Sequence, residues 1–145
     1  MRLDHLAFRV FDRENFASTL SWLGYHRVQE FALFGGDVRS YALQGPGPEI
    51  FVSEGSYGTI VGKWVLEHGD GLHHIAFEVA NVVTAAEDLP FNFGEIVTCG
   101  CPKPLTQVFS QRTEFGFIVE LLTKNGHPGF CPGNVERLME ASREF

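Results

Sequence analysis

No stretch of this 145-residue sequence holds the run of about 18 apolar residues that a membrane-spanning helix requires, and the N-terminal MRLDHLAFRV breaks its apolar positions with charges. A soluble, cytoplasmic protein is therefore expected. Positive charge is scarce, with 11 Lys and Arg against 18 Asp and Glu, a formal net charge of −7 and no basic cluster. Nucleic acid and anionic membrane surfaces are thereby set aside as partners. Cysteine is scarce too. Cys99 and Cys101 flank one glycine and Cys131 stands apart, which makes neither a CxxC metal pair nor an even-numbered disulfide framework. Reduced thiols without a special role are the expectation.

What is present suits one globular domain, 1–145, since 44% hydrophobic content at this length fills one core and not two. Fourteen phenylalanines are read as core filling. Apolar–polar alternation predicts strands near 3–10, 25–33, 37–44 and 49–53, with a helix over 12–22 capped by Asp12 and ended by Gly24. The same order follows in the second half: strands near 72–80, 94–99, 105–111 and 116–123, and a helix over 82–89. The linker 54–71 holds a short helix around 60–68, and the extension 125–145 ends in an amphipathic helix, VERLMEASREF, whose apolar side packs on the sheet or on a second subunit.

The two halves share more than their order. LDHLAFRV at 3–10 returns as LHHIAFEV at 72–79, an offset of 69 that aligns Leu3, His5, Ala7, Phe8 and Val10 with Leu72, His74, Ala76, Phe77 and Val79. Two copies of one module, about 1–53 and 72–124, account for this. The fold class is α+β: two βαβββ modules forming a cup-shaped, mixed and largely antiparallel sheet, plus a C-terminal helix.

Strand side chains alternate between faces. His5, Ala7 and Arg9 share one face of the first strand, and His74, Ala76 and Glu78 the equivalent face of its repeat; the apolar residues between them point at the covering helices. In GFIVELLT, residues 116–123, Glu120 is a carboxylate inside an apolar strand. A buried carboxylate persists where a cation or hydrogen bonds compensate it. Two imidazoles and one carboxylate are a ligand set for Fe(II) with open positions, and serve Zn, Mn, Co or Ni as well.

Glu49, 71 residues before Glu120, is a candidate fourth ligand if the offset drifts, or else an exposed carboxylate at a strand start. Arg9 and Glu78 are expected to pair with each other, the alternative being contact with substrate. His26, His68, His73 and His127 are expected to be satisfied or exposed. Arg39, Tyr41, Gln107 and Phe109 are the candidate substrate-contacting residues on the pocket walls.

With His5 in LDHLAFRV, His74 in HHIAFEV and Glu120 in GFIVELL, the chain to about residue 124 resembles the vicinal oxygen chelate superfamily of glyoxalases, epimerases, bleomycin-resistance proteins and extradiol dioxygenases. HGDGLHHIAFEV and PGFCPGN are locally most similar to the N-terminal half of 4-hydroxyphenylpyruvate dioxygenases, which are more than twice as long and keep their iron in the other half. The resemblance implies metal ligands at His5, His74 and Glu120, a substrate bound to the metal through two adjacent oxygens, and a homodimer. An Fe(II) dioxygenase is the favoured reading. A redox-neutral lyase or isomerase, with Glu49 as fourth ligand and a displaced carboxylate of the Glu49–Glu120 pair as base, is the alternative, and a non-catalytic drug-sequestering protein is another.

Overall fold

The computed structural model describes all 145 residues. The strands are β1 (Arg2–Arg9), β2 (His26–Leu33), β3 (Val38–Gln44), β4 (Glu49–Gly55), β5 (Gly71–Glu78), β6 (Val97–Thr98), β7 (Thr106–Phe109) and β8 (Ile118–Thr123). The helices are α1 (Arg13–Ser21), α2 (Ile60–His68), α3 (Val82–Asp88) and α4 (Pro132–Ala141). The fold is α+β, and the chain divides into two compact units, His5–His73 and the pair of segments Met1–Asp4 and His74–Phe145. No helix is long and apolar enough to cross a membrane.

In the first unit β1 runs parallel to β4, while β2–β3 and β3–β4 are antiparallel. In the second, β5 runs parallel to β8, while β6–β7 and β7–β8 are antiparallel. Each module is therefore one βαβββ unit, as the repeat predicts. Even the caps repeat: Asp12 accepts from the backbone N–H of Glu14 and Asn15 to open α1, and Asn81 accepts from that of Thr84 to open α3. Positions 12 and 81 keep the offset of 69 that relates His5 to His74.

Gly24, with φ +90, takes up the left-handed conformation that ends the turn after α1. Loss of the first cap is expected to matter measurably. Asp12→Ala should lower unfolding stability by about 1 kcal/mol in urea titration, and Asp12→Asn should restore it.

Each unit buries one sheet face under its own helix. Val10, Ala17, Tyr41, Leu43, Ile50 and Val52 form the core beneath α1. Val79, Val82, Val108, Val119 and Leu121 form its counterpart beneath α3. On the opposite face of the second unit, Leu138 of α4 packs with Val97, Phe109 and Ile118, so the amphipathic C-terminal helix covers this chain's own sheet.

Two boundaries differ from expectation. The strand expected at 94–99 is only Val97–Thr98, preceded by a single bridge from Phe93 to Ser110 and by the Gly94 N–H, which donates to the Phe109 carbonyl at 2.9 Å. The last helix begins at Pro132, suited to a first helical turn where its missing N–H is no loss, and ends at Ala141.

Candidate functional site

Glu120 is 2% exposed in the middle of β8, with Ile118, Val119, Leu121 and Leu122 all buried around it. The register Ala76↔Glu120 puts its side chain on the same face as His74, two residues before Ala76 on the parallel neighbour. His74 Nε2 lies 3.4 Å from Glu120 Oε1. Across β7, Phe109 stands opposite Glu120 and Gln107 opposite Leu122, so both expected wall residues share the carboxylate's face. The Phe109 ring tilts against His74 with centroids 4.6 Å apart.

A polar relay holds the carboxylate from behind. Gln107 Nε2 donates to Glu120 Oε2 at 3.4 Å, and Asn134 Nδ2 of α4 donates to Gln107 Oε1 at 3.1 Å and to the Leu105 carbonyl at 2.9 Å. Gln107 and Asn134 are buried, so each amide is fixed by the next and Glu120 has one oxygen committed to Gln107 and the other toward His74. Asn134 carries no alternation signal and was not foreseen in the sequence.

In the first unit His5 is 1% exposed and shares its face with Ala7 and Arg9. Parallel pairing sets His5 opposite Glu49, Ala7 opposite Phe51 and Arg9 opposite Ser53. This register bears on the two readings of Glu49. Since Ala76 pairs with Glu120 and is the repeat of Ala7, the counterpart of Glu120 is Phe51, and Glu49 corresponds to Ile118. The offset of 69 that relates β1 to β5 holds again between β4 and β8 (51 + 69 = 120). Glu49 is half-buried and accepts from Gln44 Nε2 at 3.1 Å. Phe51 is 5% exposed, its ring 5.6 Å from that of Phe31.

Two expected wall residues lie on the other face. Tyr41 pairs with Val52 and belongs to the core beneath α1, while Arg39 pairs with Glu54 and reaches its carboxylate at 3.5 Å. Both are one residue out of phase with the His5 face. The buried Arg13 of α1 lies over Tyr41, 4.0 Å from its ring centroid, and reaches Glu30 and Glu54 at 3.1 and 3.3 Å. Arg39 instead helps line an open cleft of about 760 Å³ with Asp12, Glu14, Asp37 and Tyr57.

The expected Arg9–Glu78 pair is also corrected. Glu78 accepts from Arg2 at 3.2 Å and lies 3.8 Å from Lys124. Arg9 is buried with its guanidinium 5.8 Å from the Trp64 ring centroid, and burial pushes its pKa down to about 9. Of the remaining histidines, His68 stacks on Trp64 and His73 meets its edge. The sequence reading also missed a second gathering of donors. Cys99, Cys101 and Cys131, expected to be ordinary thiols, cluster with His127, and their signal lay in the spacing of CGC and HPGFC.

No curated protein matches the sequence. Among solved structures, a mutant of 4-hydroxymandelate synthase from Streptomyces coelicolor superposes with TM-score 0.82 at 18% identity, covering 96% of this chain and 53% of that one. The chain thus spans about half the length of that enzyme. Methylmalonyl-CoA epimerase from Mycobacterium tuberculosis superposes with TM-score 0.67 at 18% identity, covering 84% and 87%. A mutant of methylmalonyl-CoA epimerase from Streptomyces coelicolor, in complex with 2-nitronate-propionyl-CoA, gives TM-score 0.64 at 21% identity, covering 86% and 97%. At these identities the likeness is one of fold. The family model of the glyoxalase/bleomycin resistance protein/dioxygenase superfamily matches residues 4–102, well over half of the sequence, and the chain belongs to that superfamily.

Proposed function

We propose that His5, His74 and Glu120 hold one divalent metal ion, and that the protein is an Fe(II)-type oxygenase acting on a small carboxylate-bearing substrate. What carries the reading is the residue at the fourth place: the repeat counterpart of Glu120 is Phe51, a ring without a donor atom. Two histidines and one carboxylate with open positions are the donor set of non-heme Fe(II) oxygenases. Burial fits it as well, because all three residues are at most 9% exposed and a buried carboxylate beside an imidazole calls for a compensating charge. His5, His74 and Glu120 also form one of the two groups of residues in this chain that could hold a metal ion. When bound, Fe(II) supplies Lewis-acid charge for two neighbouring substrate oxygens together with one-electron redox chemistry.

The protein's own side chains do the positioning. Gln107, itself anchored by Asn134, fixes the orientation of Glu120, the outer-shell arrangement that tunes metal ligands. Phe109 lies tilted against His74 and limits its ring rotation. Arg9, on the His5 face, is a buried cation whose desolvation is offset by an aromatic face and no carboxylate of its own unit, so an anionic substrate group gains most there. A 2-oxo acid offers both the oxygen pair and that carboxylate.

A redox-neutral epimerase or lyase is the second reading, favoured by the length match to the epimerases. Oxygen uptake separates the two. Protein loaded anaerobically with Fe(II) should consume oxygen with one or more of a panel of 2-oxo acids. Arg9→Met should raise KM about 10–100-fold with kcat held within a few-fold, as expected when uniform binding is lost. Proton exchange at the substrate α-carbon without oxygen uptake would establish the epimerase reading instead. The homodimer is retained as a proposal. Phe11, Trp22 and Tyr57, each more than 80% exposed, are apolar side chains for an interface to cover, and light scattering at twice the monomer mass is the expected result.

A further inference from the structure

Two loops and one helix start bring four soft or borderline donors together, none of them a residue proposed to hold the iron. Cys99 follows β6, Cys101 lies two residues on in the β6–β7 connection, His127 is in the loop after β8, and Cys131 is the N-cap residue of α4. One ligand atom from each lies within 4.8 Å of the others. We propose that Cys99, Cys101, His127 and Cys131 form a structural Zn²⁺ site that ties the β6–β7 connection to the start of α4.

The spacing fits tetrahedral zinc. With Zn–S bonds of about 2.3 Å, the sulfur–sulfur edge of a tetrahedron is about 3.8 Å. Cys101 Sγ and Cys131 Sγ are 3.9 Å apart. A disulfide needs its sulfurs at about 2.05 Å, and three cysteines leave one over whichever pair is joined. The surroundings of Cys99 and Cys131 also suit thiolates. The Leu105 N–H donates to Cys99 Sγ at 3.2 Å, and the Cys99 N–H donates back to the Leu105 carbonyl at 3.1 Å, closing residues 99–105 into a rigid loop around the sulfur. Cys131 stands at the N-terminus of α4 without a side-chain cap bond of its own, where the helix dipole favours negative charge.

His127 is oriented from outside. Its Nδ1 lies 3.3 Å from the Gly129 carbonyl, so a proton there is donated outward and Nε2 keeps its lone pair, the arrangement common to metal-bound imidazoles. The loop reaches this shape through Gly126 and Gly129, both at positive φ. Asn125 Nδ2 donates to the Pro104 carbonyl at 2.9 Å, a second tie between the same two segments. All three thiols are half-buried, with Cys99 and Cys131 against Ala76, Leu105 and Leu122, so the donors have an apolar floor and an open side for entry. Three thiolates and one imidazole select zinc over the harder ions proposed for His5, His74 and Glu120, and close the coordination sphere without a place for substrate. Binding displaces the thiol protons, one for each protonated sulfur that becomes a ligand.

Cobalt reports on this site directly. Full-length protein, purified with reductant, stripped by chelator and given Co²⁺, should show a near-ultraviolet sulfur-to-cobalt charge-transfer band, with visible d–d bands of tetrahedral strength. Zn²⁺ should bleach both. Cys101→Ser and Cys131→Ser should weaken the charge-transfer band by at least about a third, one thiolate of three. His127→Cys, which keeps four donors, should hold the ion and strengthen the band by about a third, a result that a misfolded variant would not give. His74→Ala leaves the band unchanged, which keeps this test independent of the proposed iron site. A wild-type spectrum without the charge-transfer band, a band equally strong in Cys101→Ser, or quantitative Cys101–Cys131 disulfide in the reductant-purified protein would each overturn the proposal.

Discussion

Glu120→Ala is expected to abolish iron retention and oxygen uptake together, while Glu49→Gln leaves both within two-fold of wild type. The two glutamates differ in what the fold does with them. Glu120 is enclosed on all sides, 3.4 Å from His74 Nε2 and with its other oxygen held by Gln107, so removal deletes the single anionic donor of the set. Glu49 is half-buried at the first position of β4 and is engaged by Gln44. Between these extremes lies Gln107→Leu. It keeps every ligand but frees the carboxylate to rotate, and an outer-shell loss of this kind lowers metal affinity or activity about 10–100-fold. The measurement is iron per chain by elemental analysis after gel filtration, alongside initial rates of oxygen consumption. Equal iron in wild type and Glu120→Ala would remove the proposed centre. Loss of iron in Glu49→Gln would restore it to the role of fourth ligand and with it the redox-neutral chemistry. The ordering Glu120, Gln107, Glu49 is the signature, since general destabilisation would follow burial and rank the buried Gln107 with Glu120.

The architecture was legible because both modules repeat the same local instructions. Strand alternation, an Asp or Asn at equivalent cap positions and a shared offset of 69 all agree, and such agreement between local and global signals is what makes a pattern readable. Where it fails, the reasons are local. β6 keeps two residues where the hydrophobic pattern alone extends further, and the chain before it holds the edge only through the Phe93–Ser110 bridge and the Gly94 N–H. Facing was harder to read than existence. β3 is buried on both sides from Ser40 to Leu43, so alternation carries no polar phase and Arg39 and Tyr41 were assigned to the wrong face. β7 is equally apolar on both sides, and the face of Gln107 and Phe109 follows only from its register against Glu120.

The residues of the proposed site stand out in the sequence for the same reason. His5 and His74 stand out because the repeat selects them from six histidines, and Glu120 because five apolar or buried neighbours make a carboxylate costly there. Glu49 is a candidate only if the offset drifts by two residues, and the plain offset of 69 points to Phe51 instead. The cysteines were passed over because metal-site spacing is usually sought within one short motif. Here the donors come from two loops about 26 residues apart that only the β7–β8 hairpin brings together. Arg9 shows the opposite limit, because charge complementarity with Glu78 suggested a pair and the fold satisfies Glu78 with Arg2 and Lys124 instead.

Phe51→Glu tests the register argument at its strongest point, by placing a carboxylate where the first module lacks one. In the metal-free protein this substitution removes a ring packed on Phe31 and buries an acid in its place. The expected loss is on the order of 3–5 kcal/mol, the range for truncating a core aromatic, with the buried acid adding to it. Excess Zn²⁺ or Ni²⁺ should return most of it, because a ligand present at about 1,000 times its Kd stabilises by about 4 kcal/mol. Wild type, with three donors at the same place, should gain less from the same metal under the same conditions. The readout is Tm with and without metal for both proteins, each carrying Cys101→Ser and Cys131→Ser so that zinc held by the thiols is weakened equally in both. Oxygen uptake by the iron-loaded variant should fall at least ten-fold, since a fourth protein donor occupies a position that the substrate or oxygen needs. A metal-induced shift in Phe51→Glu no larger than in wild type would mean that position 51 does not face the ion. The three-donor reading would then lose its basis, and the chemistry would have to be argued from a different partner for His5, His74 and Glu120.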